Sequence, residues 1–149
     1  MRQLKSCGVI VFRRRPELAF LLMQHEDRLD LPKGHMKEGE SEVTCALREL
    51  AEETGLPQGA VRLEEGFRFS TTYYPRYRRF GNEVVEKTVV IFLGWLEGEH
   101  PVQVSEHAGF RWVPWRPPHA IQARTVDPLL AEVERFLAPA GAPEGGGGA

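Results

Sequence analysis

Residues 34–56 read GHMKEGESEVTCALRELAEETGL, a glycine-punctuated loop that runs into a helix. Ser41 is a residue type whose hydroxyl accepts the first free N–H groups of a helix. Gly55 suits the left-handed position just past a helix end. The pattern predicts a helix over 41–54. At about 100° per residue, Val43, Leu47, Leu50, Ala51 and Thr54 share one arc, and Glu42, Glu49, Glu52 and Glu53 share another. Glu49, Glu52 and Glu53 stand at i, i+3 and i+4, where like charges repel by about 0.2–0.5 kcal/mol per pair. Two readings account for such a run: a solvated acidic face, or a carboxylate cluster made for a hard cation such as Mg2+ or Mn2+.

Outward from the helix, the apolar, partly β-branched runs SCGVIVF (6–12) and LAFLLMQ (18–24) flank RRRPE and predict two strands in a hairpin. DRLDLPKG reads as loop, because Pro32 and Gly34 punctuate it. AVRLEEGFRF (60–69) and KTVVIFLGWL (87–96) predict two more strands, joined by the polar, aromatic and basic segment 70–86. A short strand is expected at 109–115. A second helix is expected over 127–138, where Leu129, Leu130, Val133, Phe136 and Leu137 recur at helical spacing. The result is a mixed α/β (α+β) domain over residues 1–138, followed by a Gly/Ala/Pro-rich tail, 139–149, of a composition that does not fold.

At 149 residues the chain fits a single domain. Its formal net charge of −2 argues against a general attraction to nucleic acid or membrane. No apolar run approaches the length needed to span a bilayer. Cys7 and Cys45 lack any metal-ligand or disulfide-framework spacing and read as buried small residues in a reducing compartment. The expectation is a cytoplasmic monomer with no membrane partner and no stable nucleic-acid binding.

Gly34, five residues, Glu40, seven residues, then Arg48-Glu49-Leu50-Ala51-Glu52-Glu53-Thr54-Gly55-Leu56 resembles the signature of the Nudix hydrolases, without a gap. The resemblance implies a Nudix fold, a mixed β-sheet sandwiched between α-helices, with its box at 34–56. It implies Glu49, Glu52, Glu53 and the Gly34 carbonyl as ligands of Mg2+ or Mn2+. Arg48 then holds a glutamate in place, and Glu40, Gly39 and Gly55 brace the loop and helix end. Glu106, in VSEHAGF, is the candidate for a further metal ligand or the general base, a role that Glu53 also suits.

Outside the box, CGVIVFRR, LPKGH, EEGF, EKTV and SEHAGFRW resemble, in order and spacing, the asymmetrically cleaving diadenosine tetraphosphate hydrolases. Leu29 departs from them, since many carry tryptophan there. By this resemblance Tyr73 stacks on adenine, Lys87 contacts phosphate, and Lys33 and His35 face the polyphosphate. Arg76, Arg78 and Arg79, interleaved with Tyr74 and Tyr77, suit one end of a charged nucleotide. The implied reaction converts diadenosine tetraphosphate to ATP and AMP. RNA 5′ ends, diphosphoinositol polyphosphates and damaged nucleotides are alternative substrates for the same chemistry. A non-catalytic sensor is the remote alternative, because every glutamate of the box is present.

Overall fold

The computed structural model describes residues 1–104 and 109–138. In chain order it contains β1 (Arg2–Arg13), β2 (Ala19–Gln24), β3 (Leu29–Asp30), β4 (Lys33–His35), α1 (Glu42–Thr54), β5 (Val61–Leu63), β6 (Phe69–Tyr73), β7 (Val85–Leu96), β8 (Gly109–Pro114) and α2 (Val126–Leu137). All eight strands form one sheet, with β3-β2-β1-β7-β5 as its spine, β4 added to β1, β6 to β7 and β8 to β2. The central pair, β1 and β7, is parallel from Arg2↔Val85 to Phe12↔Trp95, and every other pair is antiparallel.

The central strands are apolar without alternation because both their faces are covered. Cys7, Val9 and Val11 of β1 pack with Leu21, Met23, Val90 and Phe92 beneath α1, which contributes Cys45, Ala46 and Leu50. Ile10 and Phe12 pack on the opposite face with Phe20, Ile91, Leu93 and Trp95, beneath Val126, Leu129, Leu130 and Val133 of α2. The mixed sheet therefore lies between two helices, as expected. Among the described residues no helix is long and apolar enough to cross a membrane.

Both ends of α1 follow the expected chemistry. Ser41 Oγ accepts from the Thr44 N–H at 3.1 Å, and Gly55, at φ +71°, donates its N–H to Ala51 O. The buried arc differs from the expected one: Cys45, Ala46, Leu50 and Thr54 face inward, while Val43 and Ala51 are exposed. Small side chains at 45 and 46 let the helix lie flat on β1, which turns it away from the arc of largest hydrophobes. The expected strand 60–69 is broken in two by a turn at Gly66, at φ +85°. Segment 27–34, read as loop, supplies the short strand β3 and most of β4. Phe136 remains 39% exposed, touching Phe67 edge-on instead of entering the core.

β4 can lie this close to β1 only because Gly8 has no side chain. A Cβ at Gly8 would stand 2.3 Å from Pro32 O and 2.6 Å from Lys33 Cβ. Substituting Gly8→Ala should cost about 1–3 kcal/mol of stability, read as a lower urea midpoint. Gly59→Ala, with open space around the added methyl, should stay within about 0.5 kcal/mol.

Candidate active site

β4 and α1 meet where the loop of residues 36–41 turns between them. Gly34 sits so tightly against Glu49 that a Cβ there would lie 2.1–2.3 Å from the carboxylate atoms. Gly39 holds φ +81° in the open part of the loop. The loop is tied by Glu40, whose Oε1 accepts from the Lys37 N–H at 2.8 Å and from Arg48 Nη2 at 3.0 Å, while Oε2 accepts from Arg48 Nε. Arg48 also donates from Nη2 to His35 O at 3.1 Å. From Nη1 it donates to Glu49 at 2.9 Å and to Glu52 at 3.3 Å. A planar guanidinium is the side chain that can satisfy so many acceptors in one plane.

Of the three helix carboxylates, two converge. Glu49 is pinned between Arg48 and Gly34. Glu53 is half-buried beside it, accepting a hydrogen bond from the Lys33 backbone N–H. Burial first, and then the charge of Glu49, push the Glu53 carboxyl up to about 8. Glu52 is mostly exposed and turned toward Arg48. Among the described residues no three His, Cys, Asp or Glu side chains stand in an assembled metal-ligand set.

A basic group gathers at the same end of β1. Lys87 is only 6% exposed, and its ammonium lies 3.1 Å from His35 Nε2. Burial, reinforced by Lys33 and Arg79, lowers Lys87 to about 8. Desolvation and the charges of Lys87, Arg79 and Lys33 lower His35, which favours the neutral imidazole beside the Lys87 ammonium. Lys33 itself is bound to Asp30 at 2.9 Å. Tyr73 and Lys87 are cross-strand partners of β6 and β7, which puts both residues on one face of the sheet.

The other expected residues divide. Arg76 is occupied within its own loop, donating to Asn82 O at 2.8 Å. Arg79 stacks near Tyr77 and Phe80 and acts on Lys87 and His35 through its charge. Tyr74 is exposed. Glu106 lies outside the described residues. Two contributors escaped the sequence reading. Asp30 is buried and accepts from the Leu31 N–H and Lys33 Nζ, and Arg124 lies over the Tyr73 ring at 4.6 Å. Asp30, polar beside LPKG, carried a faint signal. Arg124, in a polar loop, carried none.

The NUDIX domain model matches residues 3–134. The chain belongs to the Nudix family. It is 34% identical over 123 residues to the asymmetrical bis(5′-nucleosyl)-tetraphosphatase of Sus scrofa, covering 74% of this chain and 78% of the relative. The Mus musculus protein of the same name is 33% identical over the same shares. A crystal structure of a C. elegans Ap4A hydrolase binary complex superposes with a TM-score of 0.77 at 26% identity, covering 91% of this chain and 98% of that one.

Nudix hydrolases generally need divalent metal ions. The donors here fit one. Glu49 and Glu53 set two like charges side by side in a partly desolvated place, a repulsion that a hard cation removes, and their oxygens are the ligand type it prefers.

The acidic residues also fix how stability depends on pH. Arg48, with the Lys37 N–H, lowers Glu40 to about 2, and Arg68 and Lys5 lower Glu42 to about 2. Both contributions are complete above the ordinary value of 4.5. They are lost as the pH falls toward 2, where the unfolded chain takes up protons first. Urea midpoints measured from pH 4.5 to pH 2 should therefore decline. Glu42→Gln should flatten that decline and lower the midpoint at pH 6.

Proposed function

We propose that this Nudix hydrolase cleaves dinucleoside polyphosphates asymmetrically, with diadenosine tetraphosphate giving ATP and AMP. The observation that carries the reading is the pairing of Tyr73 with Lys87 across β6 and β7. It puts an aromatic residue and a desolvated cation on one face of the sheet, with the cation 3.1 Å from His35, the residue that leads into the glutamate loop. The named activity of the asymmetrical tetraphosphatases supports it, as do the shares of chain they match.

Glu49, Glu53, the Gly34 carbonyl and, once released from Arg48, Glu52 are the groups that would hold Mg2+. That ion would supply Lewis-acid stabilisation of phosphoryl charge and a lowered water pKa. Arg48 acts as a positioning residue: it fixes Glu49 and the loop through Glu40, leaving the carboxylate little freedom. Lys87 and His35 bind phosphate oxygens, and Arg79 adds positive charge behind them. Tyr73 provides the platform for a base, a contact worth about 1–3 kcal/mol, after Arg124 swings off its face or stacks on the base in turn.

The water oxygen bonds to the phosphorus nearest one adenosine. The bridge to the next phosphate breaks, and the water proton passes to a carboxylate, Glu53 or Glu106. Residues 1–138 form the catalytic unit, and 139–149 serve as a tail beyond it. The buried thiols Cys7 and Cys45 suit a reducing compartment such as the cytoplasm.

Incubation with diadenosine tetraphosphate and Mg2+ should yield equimolar ATP and AMP, and EDTA should abolish turnover. Two ADP would overturn the asymmetric cleavage, and no turnover would overturn the substrate. Glu53→Gln should lower kcat by about 10²–10⁴, the range for a lost acid–base group. Lys87→Met separates binding from folding. It removes a buried charge and should leave Tm equal or higher, while kcat/KM falls about 10–100-fold, the loss of a charged hydrogen bond.

A further inference from the structure

Arg13, Arg14 and Arg15 form an unbroken basic run where β1 ends. They line an open cavity of about 930 Å³, closed on its other sides by Pro16, Leu96, Trp112 and the turn of residues 98–101. That volume lies in the range of sites for small organic ligands. The nearby ion pairs are made by other arginines, Arg116 with Glu17 and Arg62 with Glu97. Among the described residues, no carboxylate pairs with any of the three.

Two of the three guanidinium groups are instead stacked. Arg13 lies over the Trp112 ring at 4.4 Å and Arg14 over the Trp95 ring at 3.9 Å. Stacking uses the face of a guanidinium and leaves its N–H edge to receive an anion. Arg13 Nε is buried and, among the described residues, has no hydrogen-bond partner. Three positive charges against the single carboxylate of Glu99 give the cavity a positive field.

This place is remote from the glutamates. Gly34 pairs with Cys7 of β1, and Arg13 lies six residues further along the same strand. At the rise of an extended chain that is about 20 Å.

We infer that the cavity is a second binding site, for a small phosphate-bearing anion of nucleotide size, separate from the hydrolytic centre. The arginine edges take the phosphate in bidentate fashion. Pro16, Leu96 and the edge of Trp112 supply apolar wall for the organic part. The inference is independent of the substrate proposed above.

The test follows the Trp112 indole N–H and the Arg13 Nε–H by NMR in the ¹⁵N-labelled chain. AMP, ATP and inorganic pyrophosphate are titrated separately in EDTA. Saturable shifts at both groups are expected with at least one probe, at least tenfold weaker in the double variant Arg14→Gln/Arg15→Gln. Both arginines are exposed, so this variant should keep its Tm and its basal hydrolysis. Equal affinity for pyrophosphate and ATP would assign the site to phosphate alone, and preference for the nucleotides would add the apolar wall. Absence of saturation by all three probes up to about 10 mM, or saturation unaffected by the double substitution, would overturn the inference.

Discussion

Strand β1 is buried on both faces, so each of its backbone N–H and C=O groups must find a partner strand instead of water. β7 satisfies one edge along eleven parallel residue pairs, and β2 and β4 share the other. This requirement fixes where the chemistry can stand. β4 must lie on β1 at Ser6, Cys7 and Gly8, which carries Lys33, Gly34 and His35 to the edge of α1. β7 must run parallel, which sets Lys87 opposite Leu4 at the same end. The acidic loop and the basic strand are therefore both brought to one end of β1.

The two halves of the site are each unfavourable in isolation. Glu53 is desolvated beside Glu49, and Lys87 is desolvated among Lys33, Arg79 and His35. Their ionisation shifts have opposite sign because burial penalises whichever form is charged. The core supplies the stability that tolerates this, through the two apolar layers beneath α1 and α2. A cation beside the glutamates and an anion beside the lysine relieve both strains at once, a combination that a metal-bound polyphosphate offers. Arg48 keeps the acidic half from collapsing, since its contacts with Glu40, Glu49 and His35 O tie helix, loop and strand together.

The α1 caps were legible because capping is local: Ser41 and Gly55 act within a few residues of themselves. The burial of β1, β2 and β7 was legible as unbroken apolar runs. The inward face of α1 was not, because the sheet selects the side that packs closest, and Cys45 and Ala46 outrank the larger Val43. Strands of two and three residues, β3 and β4, are too short to carry a period. The place of β4 depends on Gly8 in a distant strand. The convergence of Glu49 with Glu53, and the turning of Glu52 toward Arg48, also lay beyond helical spacing, which treats the three alike.

By itself the sequence determined the chemistry on offer: carboxylates at helical spacing, a glycine-punctuated loop, arginines in a row and two helices with one apolar face each. These follow from residue type and nearest neighbours along the chain. Tertiary structure decided which of them meet. It joined Lys87 to His35 across fifty-two residues, laid Arg124 over Tyr73, and kept the Arg13–Arg15 run at the far end of β1 from the glutamates. Burial and desolvation arise only when distant segments close on one another, and they turned ordinary charged residues into groups of shifted ionisation.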